Sequence, residues 1–449
     1  MTDIAEPTRR TWTSEGASLA ALGLLGLAAL LLTYAALRSH DPNWNLFVAL
    51  LVVSGFIAMA ATKAAEKAPA GAGLAIVIVV ALAIRLMVLG DDPILSNDMY
   101  RYVWDGRVQA AGINPYRYVP ADPALAHLRD AIIYPNINRA DYANTIYPPV
   151  AQLFFLSVTR IGESITTMRL ALIGCEIGTL IALIGLLRRL GKPVTLAVAY
   201  AWHPLAVWDI ANSGHVDALM VMLVMIGAWL LVRHRRVAAG VLIALAALVK
   251  PYAMAALPAC WRPWDWRVPV AVMLAIIVCY LPYLSVGKGI FGFLLTGYLH
   301  EEGFQGGEGF WLVHAARSAF GDIPGLLPLY LALAAGTLGV LALRAAFARD
   351  ASPERAVRDI AVLLMAGLFF LSPNYPWYYL VVVPFIPIGG GAPAWALSIG
   401  ALLLNLLYPD YDARFLIWKG VISVAFLIAL AATRWPSFSR TQGLSQWTR

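Results

Sequence analysis

Charge is what this sequence has least of: only 13% of its 449 residues are Asp, Glu, Lys or Arg, about half the share usual in soluble domains. That shortage excludes a water-soluble globular enzyme and a disordered or fibrous chain. Cysteine is scarce too. Cys175, Cys260 and Cys279 all lie in apolar stretches, an odd set that supports neither a disulfide framework nor metal-ligand spacing. No internal repeat, inverted or parallel, suggests a transporter built from two halves, and no low-complexity segment or soluble domain interrupts the chain. The first sixteen residues carry both charge signs and do not read as a cleavable leader, so the first apolar run reads as a retained span.

What is present is apolar. Hydrophobic residues make up 60% of the chain and the mean hydropathy is +0.71. Membrane-length runs recur near 17–37, 46–62, 72–90, 168–187, 194–211, 216–232, 267–284, 324–343, 357–372, 376–388, 392–408 and 414–433. Each approaches the ~20 residues that cross a bilayer, and some fall short. The expectation is an all-α polytopic membrane protein, one transmembrane domain over residues 1–449, with two polar interruptions at 91–148 and 285–323.

The net charge of +7 reads as positive-inside loops rather than as a nucleic-acid surface. Arg9 and Arg10 put the N-terminus inside, and three crossings then put loop 91–148 outside. Arg434 and Arg440, with the cluster Arg344, Arg349, Arg355 and Arg358, put 285–323 on the same outer face. The clusters Arg188/Arg189/Lys192 and Arg233/Arg235/Arg236 both fall inside only if 147–161 is a short helix lying at the interface. The run 237–261 must then go out and back, breaking at Lys250-Pro251, where proline opposes helix continuation.

On this topology the unusual polar residues gather on the outer face. Ser96 reads as the cap of a helix over 97–111. Helical spacing puts Asp98, Arg101, Tyr102, Asp105 and Gln109 on one side and Tyr100, Trp104, Val108 and Ala111 on the other, the pattern of an interfacial helix. Asp98 falls in the first turn, where the helix dipole favours its ionised form and suits it to accept a proton from a hydroxyl. Its plainer role is to start that helix. Asn212-Ser213-Gly214-His215-Val216-Asp217 lies between two apolar runs, and one of its ionisable residues starts the next helix while the other faces a cavity. Lys250 within an apolar run either snorkels or finds a partner such as a lipid-linked phosphate. In the second loop, His300 is a donor for a phosphate oxygen, and the glutamates, Glu301 first, are acceptors for sugar hydroxyls. Tyr375-Pro376-Trp377-Tyr378 sits at an outer span end, where its aromatics also suit a headgroup belt.

In this order the strings Leu95-Ser96-Asn97-Asp98, Tyr100 to Arg107, Gly112-Ile113-Asn114-Pro115-Tyr116, Tyr147-Pro148-Pro149, Gly214 to Ala218, Lys250-Pro251 and Pro376-Trp377-Tyr378 resemble the GT-C superfamily of integral-membrane glycosyltransferases. The branch they look most like is the bacterial mannosyltransferase-like enzymes that take sugars from polyprenyl phosphate. The resemblance implies a GT-C fold with about 12–14 transmembrane helices and interfacial helices in the first outer loop. It also implies a catalytic base at Asp98, with Asp105 in reserve, and inverting transfer of a sugar, mannose first, to a lipid or glycan acceptor. Arg101, Tyr102, Asp105, His215, Asp217, Lys250, His300, Glu301 and Tyr375 are the expected substrate-binding set; Tyr375 stands where relatives often carry a histidine. A monophosphate donor calls for no metal and no cofactor. The implied setting is a monomer in a bacterial inner membrane, its site facing the periplasm. Two other readings remain: a transporter or flippase of a lipid-linked glycan, and a polymerase or ligase using diphosphate-linked donors.

Overall fold

A computed structural model describes residues 14–38, 42–348, 352–407 and 411–434. Arg9, Arg10, Arg349 and Arg440, used above for orientation, lie outside them. The described residues are helical, with no strand among them. Three spans open the chain: α1 (Ser14–Arg38), α2 (Trp44–Ala65) and α3 (Ala70–Leu89). A shorter α4 (Asp98–Ala110) and α5 (Pro149–Ile161) bracket the first loop, and α6 (Ile165–Arg189) crosses again. Among the described residues seven helices are long and apolar enough to cross a membrane, the others being Arg267–Phe291, Leu326–Ala346 and Phe415–Thr433; the bent pair Val194–Ala201 and Ala206–Asn212 makes up to eight. Of the other crossings expected from the sequence, 216–232, 376–388 and 392–408 fall on the shorter apolar helices Asp217–Leu231, Pro376–Ile388 and Gly391–Leu406, and 357–372 falls on Pro353–Leu371; Pro149–Ile161 is the short helix expected at the interface. The fold is thus an all-helical, multi-pass one, as a GT-C protein requires.

Two breaks shape the site. The run 237–261 divides at Lys250-Pro251 into Arg236–Ala247 and a tighter 3-10 arm, Pro251–Ala259, as proline dictates. The run 194–211, expected as one straight span, instead bends by 67°. His203-Pro204 stands at the bend, and the second arm, Ala206–Asn212, is wound as a π-helix. Lipid-length spans keep their apolar residues outward, as Leu24, Leu25, Val79 and Leu82 show. Inside, Arg85 of α3 forms a buried ion pair with Glu176 of α6 and donates to the Ala201 carbonyl. Charges at such depth persist only when paired.

The first loop corrects one expectation. Instead of resting one apolar face on lipid, α4 is covered on both sides: Met99, Val103 and Trp104 are buried, and so are Arg101, Tyr102 and Asp105. Close packing against α5 is the reason. A Cβ on Gly106 would lie 2.6 Å from the Phe155 carbonyl oxygen, so only glycine lets the two helices approach this closely. Tyr102 stacks on Phe155 at 4.5 Å between ring centroids. The second loop is also more ordered than a polar interruption suggests, carrying the helix Trp311–Phe320.

Candidate active site

The chain 92–97 is stitched to the turn that follows the bent pair. Asn212 Oδ1 accepts from the Ile94 amide at 3.0 Å, and Ser213 Oγ accepts from the Leu95 amide at 3.3 Å. The Tyr102 hydroxyl in turn accepts from the Val216 amide at 3.3 Å. Gly214 sits in the left-handed region (φ +65°), and a Cβ there would collide with Met99 of α4. These contacts press the first turn of α4 against the turn 213–216. Asp98 thereby meets His215, with Oδ2 3.6 Å from Nδ1.

Each partner is held differently. Asp98 Oδ1 accepts from Asn138 Nδ2 at 2.7 Å, and the Asp98 amide donates to Ser96 Oγ at 3.2 Å. His215 lies flat on Trp377, centroids 3.9 Å apart, and Trp377 stacks on Tyr375 at 4.5 Å. Among the described residues neither ring nitrogen of His215 has a hydrogen-bond partner. Burial drives the His215 imidazole down to about 3, against the opposing attraction of Asp98. It is therefore neutral at physiological pH. The Asp98 side chain keeps 15% of its surface open, whereas that of His215 keeps none.

A second cluster adjoins the first. Asp217, which starts the helix Asp217–Leu231, is fully enclosed; its carboxylate lies 3.3 Å from Lys250 Nζ and accepts from the Tyr252 hydroxyl at 3.1 Å. Lys250 Nζ stands 5.0 Å from the Tyr378 ring centre, and the Tyr378 and Tyr298 hydroxyls share a hydrogen bond of 2.9 Å. Arg139 in turn faces the Tyr298 ring at 5.6 Å and binds Glu301 Oε2 at 2.7 Å. Burial opposes the charge on Arg139, but Glu301 more than offsets it and holds the guanidinium above its ordinary value. Two cations thus stand against a pair of tyrosine rings whose hydroxyls are bonded to each other. Below them Glu302 accepts from Asn374 Nδ2 (2.7 Å) and the Tyr375 hydroxyl (3.1 Å). Burial raises the Glu302 carboxyl despite those bonds.

Residues 11–264, more than half of the chain, match the alpha-(1->6)-mannopyranosyltransferase N-terminal domain of the MptA/B family. The chain belongs to that family. No curated protein and no solved structure matches it. The match makes it a GT-C type mannosyltransferase, and it takes in Asp98, Asn138, Arg139, His215, Asp217 and Lys250, but not the second loop or Tyr375.

Of the mannosyltransferase residues expected from sequence, Asp98, His215, Asp217, Lys250 and Tyr375 come together. Arg101 and Asp105 do not join them. Arg101 Nε binds Asp105 Oδ1 at 2.8 Å and its Nη1 donates to the Ala143 carbonyl, while Asp105 Oδ2 accepts from Gln152 at 2.9 Å. Both carboxylate oxygens of Asp105 are engaged and it is buried, away from the Asp98–His215 pair. Tyr102 braces the His215 turn. His300 is exposed, and its neighbour Glu301 faces Arg139. Among the described residues no three His, Cys, Asp or Glu side chains gather in the manner of a metal site.

Asn138, Arg139, the burial of Glu302 and the flat stacking of Trp377 escape the sequence reading. Asn138 and Arg139 sit in a loop rich in asparagine and proline, with nothing local to single them out. Glu302 stands beside Glu301, and only the fold distinguishes the buried acid from the rim one.

Proposed function

We propose that this mannosyltransferase moves a mannosyl unit from a polyprenyl phosphate to a hydroxyl of a lipid or glycan acceptor. The reaction is a single inverting displacement at the outer face of a bacterial plasma membrane, carried out by a monomer acting as one transmembrane domain. The observation that carries the reading is Asp98, an open carboxylate steadied on one oxygen by Asn138 and set beside the neutral His215. An acceptor hydroxyl gives its proton to Asp98 Oδ2 as its oxygen bonds to the anomeric carbon. The bond from that carbon to the phosphate oxygen breaks, and the electron pair leaves with the lipid phosphate. Lys250 and Arg139, with the Tyr378 and Tyr298 hydroxyls, stabilise the charge that develops there. The stack of Tyr375, Trp377 and His215 fixes the imidazole beside Asp98. The outer orientation rests on the basic clusters at the opposite ends of the spans.

Purified protein in nanodiscs, given radiolabelled mannose as polyprenyl phosphate mannose, as GDP-mannose or as a diphosphate-linked donor, tests the donor class. Transfer from the monophosphate lipid alone is the expected result. Transfer from either other donor alone would replace this reading, and flux of intact lipid-linked glycan without transfer would favour the flippase.

A further inference from the structure

At the opposite end of α4 from Asp98 lies a cavity of about 550 Å³, within the size range of pockets that enclose an organic ligand. It opens between the Gly112-Ile113-Asn114-Pro115 turn, α5 and the segment 282–285. The mechanism uses none of its residues. Its wall is pre-organised: Asn114 Nδ2 donates to Ser285 Oγ (3.0 Å) and to the Tyr283 carbonyl, and the Tyr283 hydroxyl donates to Gln109 Oε1 (2.9 Å). Arg117 is exposed and Tyr118 half-buried on the same wall. Among the described residues neither the Arg117 guanidinium nor the Tyr118 hydroxyl has a hydrogen-bond or ion-pair partner, so both can turn to a molecule in the cavity.

We infer that this cavity is a distal subsite for an extended, polyhydroxylated acceptor chain, holding it several sugar units from the hydroxyl that reacts at Asp98. A pyranose is polar at its edge and apolar on its faces. The lining matches both, with aromatic rings from Tyr118 and Tyr283, aliphatic side chains from Leu153 and Leu156, and free donors at the rim. Arg117 is the one cation and no acid lines the cavity among the described residues, which favours neutral hydroxyl and ring oxygens over a multiply charged headgroup. Asp98 and Gln109 are separated by the length of α4, about 16 Å at 1.5 Å per residue, so the ligand that joins the two sites must be a chain. A relay links them: Gln109 Nε2 to Gln152 Oε1 at 2.8 Å, Gln152 Nε2 to Asp105 Oδ2 at 2.9 Å, and Asp105 to Arg101 on the helix that carries Asp98.

The inference takes the acceptor's chemistry from the proposed function, so its test has a binding arm that needs no turnover. Wild type, Arg117→Ala and the cavity-filling Ser285→Trp are compared in nanodiscs for binding of linear mannohexaose, mannobiose and vesicles containing phosphatidylglycerol, and for transfer to the two oligosaccharides. Hexaose should bind wild type more tightly than biose, and each substitution should weaken hexaose binding about tenfold, the loss of one charged donor or of the cavity. In transfer, the same substitutions should raise KM for hexaose by a larger factor than for biose. Equal loss for both lengths, unchanged hexaose binding, or a loss confined to phosphatidylglycerol vesicles would overturn the subsite. Absence of transfer in wild type would overturn the proposed function instead, and hexaose binding would still decide the subsite.

Discussion

Asp98 Oδ2 lies 3.6 Å from His215 Nδ1, near enough for charge to be felt and too far for a hydrogen bond. The imidazole, stacked on Trp377, is therefore not a proton relay to the carboxylate in this state. Enclosed as it is, it stays neutral beside the carboxylate.

That neutrality has a pH signature. With its pKa held near 3 by burial, folded His215 takes up no proton between about pH 6.5 and pH 3, whereas the unfolded chain does, so stability falls as pH drops through that window. The contribution is at most about 1.4 kcal/mol per pH unit. His215→Asn should flatten the acid side of the apparent Tm against pH without introducing or removing a titration near 6.5 in the rate profile. A wild-type rate profile with a limb near 6.5 that vanishes in His215→Asn would show that the imidazole titrates in the working enzyme.

Lys250 and Asp217 form a pair whose members cannot be removed singly without cost. Lys250→Met takes the cation from the enclosed Asp217 carboxylate and leaves it the Tyr252 hydroxyl, and breaking such a pair costs about 3–5 kcal/mol. The double variant Lys250→Met, Asp217→Leu should recover most of the thermal stability, because the orphaned charge is gone. It should not recover transfer if Lys250 meets the donor phosphate. Recovery of both would reduce Lys250 to a structural partner.

Gly214 carries a local prediction. Alanine there is strained by the positive φ and meets Met99, so Gly214→Ala should separate the 213–216 turn from α4 and lower both stability and rate. Adding Met99→Ala removes the collision but not the backbone strain, and partial rescue of the apparent Tm is expected. Full wild-type behaviour of Gly214→Ala alone would mean that the turn tolerates another conformation.

Much of this architecture is legible in the sequence where a single residue type decides the backbone. Pro251 marks the break that brings Lys250 to Asp217, and the Asp98 helix is announced by its spacing and ended by Gly112 and Asn114-Pro115. The 67° bend at His203-Pro204 is not read, because the surrounding run is apolar enough to pass as one span. Arg85 and Glu176 are hidden for a similar reason: two charges in long hydrophobic windows barely change an average, and their pairing depends on how α3 meets α6. Asp105 illustrates the limit of helical periodicity, which puts it on the same face as Asp98 but cannot show that Gln152 and Arg101 occupy both of its oxygens. Asn138 and Arg139 reach Asp98 and Glu301 only through the folded loop.

The central claim is that Asp98 is the base, and Asp98→Asn compared with Asp105→Asn tests it most directly. Asn keeps the size and the helix start while removing proton acceptance. With polyprenyl phosphate mannose as donor, Asp98→Asn should lower kcat by about 10²–10⁴, leaving donor binding and apparent Tm close to wild type. Asp105→Asn should instead lower the apparent Tm and reduce kcat far less. Wild-type turnover by Asp98→Asn, with the large kcat loss appearing in Asp105→Asn, would contradict the account.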